Sequence, residues 1–164
     1  MVINKFGNGD LDETNFVKDK KSQIDSDQNK KNFDYFIPQR EAVNKNLYKL
    51  IKTTEDLRNW IKKVKSSGVI SIDCETTSLN AVDANIVGFS MSLENSEACY
   101  IPINHLNNRN QIELEDFKIL IKPILEDSSI LKIGQNIKYD YIILKQLGIK
   151  MVNMDDTMLM SYVL

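Results

Sequence analysis

A chain of 164 residues with a net charge of −2 is long enough for one domain with its own core, and too short for a second large one. That near-neutral charge argues against coating long stretches of nucleic acid, which needs a surplus of Lys and Arg, but allows a grip on a strand end. Two cysteines without metal-type spacing and a single histidine exclude a zinc site of thiolates and imidazoles, so any metal must be held by oxygen; with no signal peptide and no apolar run of about 18 residues, a soluble, cytoplasmic chain without a membrane partner is expected.

In chain order, residues 1–46 are rich in Asn, Asp, Lys, Gln and Ser, with eight basic and eight acidic side chains interspersed. The pattern predicts a disordered, charge-balanced leader whose one apolar cluster is Phe33, Tyr35, Phe36 and Ile37. The domain is expected over 47–164. It opens with a short apolar strand at Tyr48–Ile51, and then Thr53, Thr54, Glu55 and Asp56 suit a helix N-terminus. Leu57, Trp60, Ile61 and Val64 recur at helical spacing, and Ser66-Ser-Gly68 ends that helix. Val69-Ile-Ser-Ile72 reads as a buried strand running into Asp73.

Val87, Phe89, Met91 and Leu93 alternate with small polar residues, and a turn at Glu94–Glu97 leads into Ala98-Cys-Tyr-Ile101, giving an antiparallel hairpin. Phe117, Leu120, Ile121, Ile124 and Leu125 mark a helix that Pro123 should kink or break. Ile130–Ile133 is the next strand, and Gly134-Gln-Asn opens a helix running to Gly148. Ile149–Val152 is a last short strand, and Asp155-Asp-Thr opens an apolar helix. A hairpin beside a first strand, followed by strand–helix–strand crossovers, implies an α/β fold with a mixed sheet flanked by helices. The apolar helix at 157–164 has nothing after it to complete its layer, so the fold is expected to be C-terminally incomplete.

Asp73 and Glu75 lie two apart at the end of a buried strand, where the pleat turns both carboxylates to one face and Cys74 to the other. Other acid-x-acid pairs, such as Asp25 with Asp27, sit in polar or helical contexts and read as solvated surface. Carboxylates at the carboxyl end of a core strand must instead be paired, protonated or metal-bound. Asp140 falls on the apolar stripe of its helix with Ile137, Tyr141, Leu144 and Leu147, so a charge meets the core. Favourable placement against the helix dipole is one explanation. A divalent cation shared with Asp73 and Glu75 is the better one. Asp155 and Asp156 fit N-cap chemistry, lone His105 is a surface or substrate-adjacent loop residue, and Cys74 is a small core residue.

Ser71-Ile-Asp-Cys-Glu-Thr-Thr-Ser-Leu-Asn80 resembles the first exonuclease motif of bacterial DNA polymerase I, and Gly134-Gln-Asn-Ile-Lys-Tyr-Asp140 the second, in the expected order. Tyr100-Ile-Pro-Ile-Asn-His105 and the segment from Asp156 to Leu164 resemble family stretches between and after them. The resemblance covers about Tyr48 onward and implies a ribonuclease H-like 3′→5′ proofreading exonuclease domain. Its implied reaction is two-metal hydrolysis of the 3′-terminal phosphodiester of single-stranded DNA, releasing a deoxynucleoside monophosphate. Asp73, Glu75 and Asp140 would be the metal-holding catalytic residues, with Mg²⁺ or Mn²⁺ as the hard cations. Asp73 would bridge both ions, Glu75 would serve the one holding the attacking water, and Asp140 the one near the leaving oxygen. Thr76 and Leu79 would contact the terminal nucleotide, and Asn136 and Tyr139 the strand; an ordinary loop leucine remains the alternative at Leu79.

The family's third motif, Tyr-x-x-x-Asp on a later helix, has no counterpart in this sequence. The expectation is a domain truncated before its last ligand and impaired in activity. The alternative is an inactive remnant or a nucleic-acid-binding module that needs a partner chain, such as a separate polymerase.

Overall fold

The computed structural model describes residues 45–94, 97–106 and 110–164. The chain divides into Met1–Gln39 and Arg40–Leu164. The polar leader expected over 1–46, with its Phe33–Ile37 cluster, falls almost wholly outside the described residues.

A single 3-10 turn at Lys45–Leu47 precedes β1 (Lys49–Leu50) and α1 (Thr54–Ser67). Thr53 is extended at φ −122°, ψ 149°, and its hydroxyl accepts the Asp56 N–H at 3.1 Å, occupying a donor the first turn would leave without a partner. Glu55 and Asp56 stand against the positive end of the helix dipole. At the other end Gly68 takes φ 70°, and its N–H returns to Val64 O at 3.0 Å, so the chain turns sharply into the next strand. Leu57, Trp60, Ile61 and Val64 are all buried on one face, as their spacing predicts.

The remaining strands are β2 (Val69–Thr76), β3 (Ile86–Glu94), β4 (Glu97–Pro102), β5 (Leu131–Gly134) and β6 (Met154–Asp156). They form one mixed sheet in the order β1-β4-β3-β2-β5-β6. β2–β3 and β3–β4 are antiparallel, whereas β1–β4, β2–β5 and β5–β6 are parallel. Period-two alternation then sorts the faces. Ile70, Ile72, Cys74, Phe89, Met91, Cys99 and Ile101 are buried towards α1 and α2 (Leu114–Leu125), where Phe117 meets Phe89 edge-on at 5.4 Å. Ser71, Asp73 and Glu75 are exposed on the opposite face. This is the ribonuclease H-like α/β architecture expected, a mixed sheet flanked by helices.

Three elements differ from the sequence-based expectation. Pro123 neither kinks nor breaks α2; it occupies the last turn, where its missing N–H costs a single bond and buried Ile121, Ile124 and Leu125 hold the helix down. Ile149–Val152 is not a strand. After α3 (Lys138–Gln146) the N–H groups of Gly148 and Ile149 return to Lys145 O and Leu144 O, both at 3.0 Å, and buried Ile149 and Met151 act as irregular anchors. Asn153, at φ 51°, then resets the chain so that β6 begins at Met154 beside Lys132. α3 itself starts four residues later than Gly134. No helix among the described residues is long and apolar enough to cross a membrane.

Candidate active site

The last β2–β5 pair is Ser71 with Ile133, and β5 ends at Gly134. Beyond that point β2 has no strand on its β5 side. The Cys74 N–H donates instead to Asp140 Oδ1 at 2.8 Å, in a buried setting. Asp140 is only 3% exposed, so the charge that the 3.6-residue period puts on the apolar stripe does reach the interior, bonded to the backbone between Asp73 and Glu75. Burial pushes the Asp140 carboxyl up; the Cys74 backbone and thiol oppose this by hydrogen bonding, and the nearby Asp73 charge adds to it. Burial also raises Asp73. The Cys74 thiol is driven well above its ordinary value by burial and by Asp140, which leaves it a core residue with no thiolate at neutral pH.

After β2 the chain forms a loop clamped at both ends by α3. The Tyr139 hydroxyl bonds the Thr76 hydroxyl and the Ser78 carbonyl, and Thr76 Oγ1 also donates to Ser78 O at 3.0 Å. Further along, Gln146 Nε2 donates to Ala81 O at 2.8 Å and Val82 O at 3.1 Å. Within the loop Thr77 N–H reaches Asn85 O and Thr77 Oγ1 accepts the Asn85 N–H, each at 3.0 Å. The tied loop leaves Leu79 99% exposed at its tip. Among the described residues, none covers its side chain.

Asn136 is exposed, with φ 55°, a left-handed conformation that Asn tolerates better than most residues. Its N–H and that of Ile137 donate to the two carboxylate oxygens of Asp156, at 2.9 and 3.1 Å. Asp156 Oδ1 also accepts from Met158 N at 2.9 Å, capping α4 (Thr157–Val163). The capping role expected of the Asp155–Asp156 pair thus falls to Asp156, which joins the starts of two helices. Asp155 pairs in β6 and is half-buried.

All three acids supply oxygen donors of the kind Mg²⁺ and Mn²⁺ prefer, so the donor chemistry fits a divalent cation. Asp73 and Glu75 share the open face of β2, and Asp140 contacts the backbone between them. Among the described residues, no three His, Cys, Asp or Glu side chains are gathered closely enough to hold a metal ion.

One feature had only a faint sequence signal. Tyr100 pairs with Ser90, and Ser90 with Asp73, in adjacent register. The Tyr100 ring lies across Gly88, where an added Cβ would sit 1.9 Å from its hydroxyl oxygen. Gly88 is in turn the β3 partner of Glu75. The only available cue was a glycine inside an alternating strand, which marks a close approach.

Residues 48–164 match the family model described as 3′-5′ exonuclease. DNA polymerase I of Rhizobium leguminosarum is 39% identical over 136 residues, covering 71% of this chain and 13% of that protein. The chain thus spans about an eighth of the length of such relatives. Among solved structures, Trypanosoma brucei RNase D superposes with a TM-score of 0.55 at 18% identity, covering 66% of this chain and 37% of that one. Brucella melitensis NrnC with bound Mg²⁺ gives 0.50 at 18% identity, covering 71% and 51%. These two likenesses speak for the fold, and the family match for kinship: over residues 48–164 the chain belongs to the 3′-5′ exonuclease family with a ribonuclease H-like fold, related to the exonuclease domains of DNA polymerase I.

Proposed function

We propose that this chain is a DNA polymerase I type proofreading exonuclease domain, acting on the 3′ end of single-stranded DNA and releasing deoxynucleoside monophosphates. The observation that carries the reading is the placement of Asp73 and Glu75 on the open end of β2, with buried Asp140 bonded to the Cys74 N–H between them. In this reading Asp73, Glu75 and Asp140 would hold Mg²⁺ or Mn²⁺, a set that the described residues do not gather without the ion. The cation supplies, when bound, the positive charge that stabilises phosphoryl transfer. The chain's own groups position the substrate. Leu79 meets the terminal base from the tip of its clamped loop, Thr76 faces the terminal nucleotide, and Asn136 and Tyr139 contact the strand. NrnC, of the same fold, has been seen with bound Mg²⁺, which supports the choice of cation.

A second reading is a nucleic-acid-binding module that completes itself with a partner chain, such as a separate polymerase. α4 favours it: the helix buries none of its residues, and Leu159, Tyr162 and Val163 stand exposed. A 5′-labelled single-stranded DNA incubated with the chain and Mg²⁺ or Mn²⁺ separates the two. Stepwise shortening from the 3′ end, reduced on the order of 10²-fold or more by Asp73→Ala, supports the exonuclease. A fully intact oligonucleotide in the presence of folded protein contradicts it and leaves the binding module.

A further inference from the structure

The face of the sheet that carries Asp73 and Glu75 continues across β3 and β4 to Tyr100, and the tip of that ring comes to rest over Gly88, the partner of Glu75. The phenol is therefore a neighbour of the carboxylate pair, on the side of β2 away from β5. Its hydroxyl is joined to His105 Nε2 at 2.8 Å, with the two rings 5.9 Å apart and nearly perpendicular at 82°. The backbone of His105 is fixed on both sides by one side chain. Its N–H donates to Gln111 Oε1 at 2.9 Å, and Gln111 Nε2 donates back to its carbonyl at 3.4 Å. His105 is nonetheless exposed, so these bonds hold an open imidazole at the rim of the acidic face.

Gln111 holds the backbone beside an exposed ring, and a strand glycine clears room for the phenol. Two exposed carboxylates repel the phosphate backbone of a DNA strand, and a rim of hydrogen-bond donors offsets that repulsion without competing for the cation. Aromatic and imidazole faces also stack on unpaired bases. We propose that Tyr100 and His105 form a substrate-binding pair that holds the 3′-terminal segment of a single strand against Glu75, opposite the Leu79 loop. This rests on the exonuclease reading above and gives a binding role to the two residues that bound the Tyr100–His105 stretch.

His105 is the only histidine in the chain, so its imidazole gives one resolvable set of NMR signals. The 164-residue protein is titrated with a short 3′-hydroxyl oligodeoxynucleotide in EDTA, and affinity is measured in parallel by fluorescence anisotropy for the parent, Tyr100→Phe and His105→Gln. The pair predicts that the His105 signals move with saturation of the oligonucleotide, and that each substitution weakens binding about two- to tenfold, the size of a lost hydrogen bond. Tyr100→Phe keeps the ring over Gly88, and the parent titration needs no variant to fold. Binding by the parent with unmoved His105 signals and unchanged variant affinities overturns this inference alone. No binding by the parent also overturns this inference, while the cleavage assay with Mg²⁺ or Mn²⁺ decides the exonuclease reading separately.

Discussion

At the scale of single residues, two charged side chains among the described residues are buried, Asp140 and Lys132. Asp140 was legible in the sequence because a 3.6-residue period puts position 140 on the same stripe as Ile137 and Leu144. Its hydrogen bond to Cys74 was not, since that depends on where β5 stops. Lys132 was invisible: inside Ile130–Ile133 it reads as an outward strand position, yet it is fully buried. Its Nζ donates to Asp127 O at 2.8 Å and Ile130 O at 2.7 Å, tying down the turn before β5. Burial holds its ammonium below the ordinary lysine value of 10.5, with Asp127 opposing. The unfolded chain then binds more protons than the folded one between the lowered value and 10.5, so stability should rise with pH across that window. Urea unfolding of the parent and Lys132→Met at several alkaline pH values should show the parent gaining on the variant as pH rises. A constant or shrinking difference would contradict it.

At the scale of elements, α1, the hairpin and α2 could be read from periodicity, because each buries its stripe close to where its own sequence puts it. The stretch after α3 could not. Ile149 and Met151 are apolar enough to suggest a strand, but their partners lie in the core rather than on β5, and the left-handed Asn153 delays pairing until Met154. Asp156 shows the same limit. Its cap on α4 is visible in Asp-Asp-Thr, while its hold on Asn136 and Ile137 spans about 20 residues and appears only when β5 and β6 lie side by side. Asp156→Ala should therefore cost more than an ordinary cap, about 2 kcal/mol, and amide exchange at Asn136 and Ile137 should quicken along with that at Met158. Exchange quickened at Met158 alone would show that the link to α3 carries no weight.

At the scale of the molecule, the sheet's two faces divide the work. One is filled by α1 and α2; the other is left polar and open where Asp73, Glu75 and Tyr100 stand. The two motif segments were legible because each carries its acids within a few residues. The wall made by Tyr100 over Gly88 was not, because it needs the register of three strands. The proposed function requires Asp73, Glu75 and Asp140 together to make a divalent-cation site. Mn²⁺ binding to the whole chain, followed by electron paramagnetic resonance, tests that claim apart from any turnover. The expected result is saturable binding that Asp73→Ala weakens by at least about tenfold, since even an outer-shell partner is worth that much. Binding that is absent from the folded parent, or unchanged in the variant, would contradict it.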